Sequence, residues 1–257
     1  MNEIPRFLRP FVVGHPDLPP PVRAAGNLDL YLPDGPGPHP VVLLVHGGPI
    51  PEELGVSPRG WPVMRGYAAL LVAAGVAAAV VDHRLHVVDK PDGPTVDAVS
   101  AAADVAAAAA TLRAHPDVDG DRVVYWVFSG GGLLSADWLR DRPAWLRAIF
   151  LSYPLLASPA PLLPVEERLH LDPRFTPIEA VASAGAEAPP IVLTRVGRER
   201  PLLAGFVDEF VAAAAKAPLE IIDVPDGQHA FDVLDDTDKT RAALHTAVAR
   251  AVELLRG

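Results

Sequence analysis

Cysteine is absent from the 257 residues. That excludes disulfides, thiolate metal sites and cysteine nucleophiles, and leaves hydroxyls, carboxylates and imidazoles to carry any chemistry. Aromatic residues make up only 6% and methionine only two positions, so a core must be built mainly from Val, Leu and Ala. No long hydrophobic run exists either. The longest uncharged apolar stretch, Ala68 to Val81, has 14 residues and includes Gly75, too short to cross a bilayer. The start, Met1-Asn2-Glu3-Ile4-Pro5-Arg6, lacks the roughly 7–15-residue apolar segment of a secretory signal. A cytoplasmic protein without membrane insertion is expected. Positive charge is scarce too: 22 basic against 32 acidic residues give a net charge of −10, which argues against nucleic acid as a partner.

Apolar residues are plentiful, at 50% with a positive mean hydropathy, enough for a sizeable core and contrary to disorder. Proline reaches 29 residues, about twice the usual share, and favours fixed loops. Short runs rich in Val, Leu and Ile alternate with Ala-rich segments, the pattern of a βα chain with a parallel sheet. Strands are predicted over 28–32, 41–45, 77–81, 123–128, 148–151, 191–195 and 219–224. Helices are predicted over 67–74, 96–114, 131–140, 203–215 and 238–255. In the last, Leu244, Val248, Val252 and Leu255 share one face. Residues 1–257 are expected to form a single α/β domain. Residues 152–190, with Pro154, Pro159, Pro161 and Pro164, read as an insertion acting as a cap or pocket wall. Pro49–Pro62 is a smaller candidate of the same kind.

Four loops after predicted strands are candidates to carry chemistry. The strand ending at Phe128 runs into Ser129-Gly130-Gly131-Gly132, a context that projects a serine hydroxyl from a sharp turn; its plain alternative is a helix N-cap. His46-Gly47-Gly48-Pro49 follows another strand. Its glycines let backbone N–H groups face a cavity, and Gly47 or Gly48 could join Gly130 in holding an oxyanion. The plain alternative is a tight turn. Asp226-Gly227-Gln228-His229-Ala230-Phe231 places His229 as a general base at a sheet edge, where a surface histidine is the alternative. Glu199, after the strand at 191–195, could orient that imidazole or belong to a solvated charge cluster with Arg198 and Arg200.

The order of these loops is more telling than any one of them. Oxyanion loop, serine, acid and histidine follow one another, each at the carboxyl end of a predicted strand. Over roughly residues 25–257 the chain resembles the α/β-hydrolase superfamily, in its esterase, lipase or dienelactone-hydrolase-like branches. Val80-Val81-Asp82-His83-Arg84-Leu85 is similar to the Asp-Tyr-Arg-Leu segment of hormone-sensitive-lipase-like esterases. The resemblance implies a mostly parallel eight-stranded sheet flanked by helices on both faces, no cofactor, and a triad of Ser129, Glu199 and His229.

Three departures stand out. Val127 replaces the first glycine of the family's Gly-x-Ser-x-Gly elbow, which suggests a more open turn. The acid is Glu where Asp is commoner, so Asp208 and Asp232 remain alternatives. Pro49 stands where lipases often have a third glycine. His83 and His86 have metal-like spacing but no evident third ligand, and no metal is expected. Pro49, Trp61, Phe128 and Phe231 are the candidate substrate contacts.

The expected function is a serine hydrolase cleaving a small-molecule carboxylic ester with apolar groups through an acyl-enzyme. Two alternatives are a biosynthetic acyl transferase or cyclase on the same fold, and a non-catalytic ligand-binding homologue. A homodimer stays open.

Overall fold

Alternate residues of a strand face opposite sides of its sheet, so a strand that is apolar throughout needs cover on both. A computed structural model, describing residues 5–52, 55–91, 93–158 and 169–257, meets that need. Its strands are β1 (Val22–Ala25), β2 (Leu28–Tyr31), β3 (His39–Val45), β4 (Ala77–Val81), β5 (Val87–Lys90), β6 (Gly93–Val96), β7 (Val118–Phe128), β8 (Leu146–Ser152), β9 (Ile191–Arg198) and β10 (Leu219–Gln228). Its helices are α1 (Pro62–Ala73), α2 (Ala98–Arg113), α3 (Ser135–Asp141), α4 (Pro177–Ala184), α5 (Pro201–Ala213), α6 (Phe231–Leu234) and α7 (Asp238–Arg256).

Eight strands form one sheet in the order β1-β2-β4-β3-β7-β8-β9-β10, while β5 and β6 make a separate antiparallel hairpin. β2 is antiparallel to both its neighbours, and the remaining pairings are parallel. Val41, Leu43, Val45, Val123, Tyr125 and Val127 face one layer, formed by α2, α3, α4 and α5. Val42, Leu44, Val124, Trp126 and Phe128 face the other, formed by α1 and α7. This is the α/β-hydrolase architecture.

Local chemistry fits the elements. Asp97 caps α2 by accepting the Ser100 N–H, and Thr237 caps α7 by accepting that of Thr240, each worth about 1 kcal/mol. Leu244, Val248, Val252 and Leu255 are all buried on α7, as their spacing predicts.

Several expectations need correction. β1 and the β5–β6 hairpin lie outside the predicted strands, and β7 begins at Val118 rather than 123. The helix expected over 131–140 is instead a 3-10 turn, Ser129–Leu134, leading into α3. Three consecutive glycines explain part of this, each costing an α-helix about 1 kcal/mol. The stretch 152–190 is less irregular than its prolines suggest: it contains α4, whose Ala180 and Val181 are core residues with Phe175 just before them. Pro159, Pro161 and Pro164 lie outside the described residues.

Candidate active site

The carboxyl ends of β3, β7, β9 and β10 bring the predicted residues together. Ser129 follows β7 directly with φ +49°, a conformation that non-glycine residues adopt only when the surroundings hold them there. Its hydroxyl donates to His229 Nε2 at 2.7 Å, and His229 Nδ1 donates to Glu199 Oε2 at 2.5 Å. With a carboxylate accepting at Nδ1, the tautomer leaves Nε2 able to accept the serine proton.

The Glu199 side chain is only 4% exposed. Burial would raise its carboxyl, but the His229 hydrogen bond, the Arg200 N–H at 2.8 Å and the nearby positive charges hold it below the usual carboxylate range. The alternative acids sit elsewhere. Asp208 is an exposed residue on α5, lining a separate cavity of about 450 Å³ behind Glu199. Asp232 is fully buried and accepts hydrogen bonds from Tyr153 and Tyr67. Glu199 alone of the three is hydrogen-bonded to His229.

The glycines of the two loops interlock. A Cβ on Gly130 would lie 1.8 Å from Gly48 O, and one on Gly131 would lie 2.5 Å from His46 O. Gly47 also meets Ser129, its hypothetical Cβ 2.9 Å from that of the serine. The backbone of the His46–Pro49 loop therefore lies directly against the elbow. Val127 does not prevent the turn, because its side chain is buried in the core layer that also holds Leu133 and Leu134.

Beneath the loop, His46 and His83 stack with ring centroids 3.7 Å apart and planes within 9°. His46 Nδ1 donates to Gly47 O at 2.6 Å, and His83 Nε2 donates to His46 O at 3.0 Å. Burial pushes His46 down to about 4 and His83 well below its ordinary value, so both stay neutral at physiological pH. His86 takes no part in this stack and donates to Ile50 O at 2.9 Å.

Ser129 and His229 open on a cavity of about 380 Å³ whose apolar walls include Phe7, Ile50, Trp61, Met64, Phe128 and Val233. Gly47, Gly48 and Pro49 line it as well. From the stretch 152–190, Tyr153 reaches this cavity. Phe231 does not line it. The chain turns inward after His229, at Ala230 with φ +62°, and buries Phe231 against Tyr153, ring centroids 5.9 Å apart. Phe7, from the N-terminal turn Arg6–Leu8, stacks on Trp61 at 4.9 Å. Its role in the cavity had no signal in the sequence, because the contact spans 54 positions.

Solved structures share this arrangement of elements. EstE1, a thermophilic carboxylesterase cloned from a metagenomic library, is 20% identical over 96% of this chain and 92% of its own, with a TM-score of 0.66. Esterase Est22 is 18% identical over 90% of this chain and 76% of its own, at 0.62. Thermogutta terrifontis esterase 2, phosphonylated by cyclosarin, is 19% identical over 88% of each chain, at 0.60. No protein-family model matches the sequence, and a comparison with curated proteins finds no match. This chain has the α/β-hydrolase fold. Among its described residues, no helix is long and apolar enough to cross a membrane.

Proposed function

We propose that this protein is a serine hydrolase of carboxylic esters. The observation that carries the reading is the continuous hydrogen-bonded chain Glu199–His229–Ser129, at 2.5 and 2.7 Å, opening on an apolar cavity. Ser129 Oγ attacks the ester carbonyl carbon while its proton passes to His229 Nε2. The carbonyl oxygen becomes an oxyanion, held by the N–H of Gly130 and that of Gly47 or Gly48. Collapse breaks the bond to the alcohol oxygen, which leaves with the proton from His229. Water, deprotonated by His229, then attacks the acyl-enzyme, and the acid departs as Ser129 regains its proton.

Glu199 fixes the imidazole tautomer and stabilises the imidazolium formed at each step. The cavity is large enough for a small or medium acyl or alcohol group, and its walls of Trp61, Phe128 and Met64 favour an apolar one. Loops 50–66 and 152–190 are read as the parts that shape specificity. The elbow conformation of Ser129, with its hydroxyl already bonded to an imidazole, favours catalysis over ligand binding alone. Hydrolysis of a p-nitrophenyl ester series tests the reading. The wild-type protein should turn over short acyl chains, and Ser129→Ala should lower turnover by on the order of 10⁶.

A further inference from the structure

Asp232 takes no part in the relay from Glu199 to Ser129, yet it lies three residues beyond His229 with no exposed surface. Tyr153 Oη donates to its Oδ2 at 2.8 Å and its Oδ1 at 3.0 Å, and Tyr67 Oη donates to Oδ2 at 3.1 Å. Burial and the Asp232 charge push both phenols up, so they remain protonated donors. Tyr153 meets the triad directly: its ring packs edge-to-face on His229 with centroids 5.0 Å apart and planes at 64°. It also walls the catalytic cavity. The chain bends on each side of this contact through residues in the left-handed region, Tyr153 at φ +39° and Ala230 at φ +62°. Such residues stay there only when tertiary contacts hold them. The carboxylate ties the two bends together.

We propose that Asp232 is a positioning residue for the ester hydrolysis inferred above: through Tyr153 it holds the His229 imidazole in line between Glu199 and Ser129, and its charge favours the imidazolium that forms as Ser129 attacks. The inference rests on the serine-hydrolase reading. An apolar side chain of similar size would fill the same space without the desolvation cost of a carboxylate, so the charge needs a reason beyond packing. The groups facing Asp232 are Tyr67 from α1, Tyr153 from the end of β8 and His229 from the end of β10. Arg6 of the N-terminal turn lines the same cavity. From α7, the buried positions nearest in sequence are Thr240, Ala243 and Leu244, none of them charged. Burial lifts the Asp232 carboxyl to about 6, against the pull of the two tyrosines. It therefore changes charge where the enzyme would be assayed.

The test is the second-order rate at which a fluorophosphonate labels Ser129, measured from pH 5 to 9. In this reaction Ser129 Oγ bonds to phosphorus, fluoride leaves, and the serine proton goes to His229, so no natural substrate is needed. Asp232→Asn keeps the shape and loses the charge. Its rate should fall about tenfold below wild type at pH 8 and approach the wild-type rate at pH 5, where Asp232 is itself protonated. A ratio that stays constant with pH, or equal rates throughout, would overturn the proposal. Should Asp232→Asn fail to fold, Tyr153→Phe decides. It keeps the ring against His229 but removes the closest of the donors that hold the Asp232 carboxyl down, so the rise in labelling rate that follows the Asp232 charge should move to higher pH; a rise at the wild-type pH overturns the proposal. A wild-type protein that takes no label at Ser129 at any pH removes the serine-hydrolase reading and this inference with it. Normal wild-type labelling that Asp232→Asn leaves unchanged removes the inference alone.

Discussion

The carbonyl oxygen of Gly48 occupies the place where a side chain on Gly130 would begin, only 1.8 Å from that hypothetical Cβ. The two backbones proposed to share the oxyanion are thus in direct contact, and only glycine at 130 allows it. Gly130→Ala must push the His46–Pro49 loop off the elbow. A loss of at least about 10² in kcat is expected from one displaced donor, with KM much less affected. Gly205→Ala is the control: Gly205 lies on α5 with open space where a Cβ would sit. There alanine should leave kcat alone and raise stability by about 0.5–1 kcal/mol. Steady-state kinetics and thermal melts check both.

Glu199→Gln should lower kcat by about 10²–10⁴, since the amide no longer stabilises the imidazolium and permits the wrong tautomer. Asp208→Asn, on the exposed face of α5, should change kcat by less than about twofold. Equal losses in the two variants would mean that Glu199 is not the acid.

Val127 stands where the Gly-x-Ser-x-Gly elbow has its first glycine, yet it is fully buried on β7 between Val45 and Leu151. Restoring glycine would empty part of that layer. Val127→Gly should cost about 2–4 kcal/mol in denaturant unfolding without raising kcat. A faster, equally stable variant would show that valine constrains the turn.

The buried ionisable groups oppose one another in their effect on stability with pH. Asp232 has a folded value of about 6, raised from 3.8. Its stabilising contribution is full below pH 3.8 and is lost as pH rises through 6. His46, depressed from 6.5 to about 4, contributes stability above pH 6.5 that is lost as pH falls through 4. Asp232→Asn should therefore stabilise the fold at pH 8, by about 1–3 kcal/mol, and confer little or nothing at pH 4. Unfolding free energies at the two pH values check the sign. The same change should slow labelling of Ser129, so stability and activity would move in opposite directions.

Much of the sheet was legible in the sequence because its central strands are buried on both sides and read as unbroken apolar runs. β1 was not: it has four residues, exposes Val22, and exists through its pairing with β2. The β5–β6 hairpin, carrying Asp89 and Lys90, likewise lacks a hydrophobic run. α4 was hidden by the prolines around it. At the site, the order of loops pointed to Ser129, Glu199 and His229, since each lies beyond the carboxyl end of a predicted strand; the strands themselves run on to Arg198 and Gln228. What sequence spacing could not convey is direction. Phe231 and Asp232 turn inward after Ala230, and the partners of Asp232 come from α1 and the end of β8, 165 and 79 positions away. The stacked His46–His83 pair is another contact between distant loops, so along the chain His83 reads as an unusual residue in a family motif or as half of a His-x-x-His spacing, not as a partner of His46.

Labelling with a fluorophosphonate probe, followed by mass spectrometry of the digested protein, tests the central claim most directly. A single adduct on Ser129 is predicted, lost in Ser129→Ala and strongly slowed in Glu199→Gln. A protein with native thermal stability that carries no adduct on Ser129, or that is labelled equally well after Ser129→Ala, would contradict it.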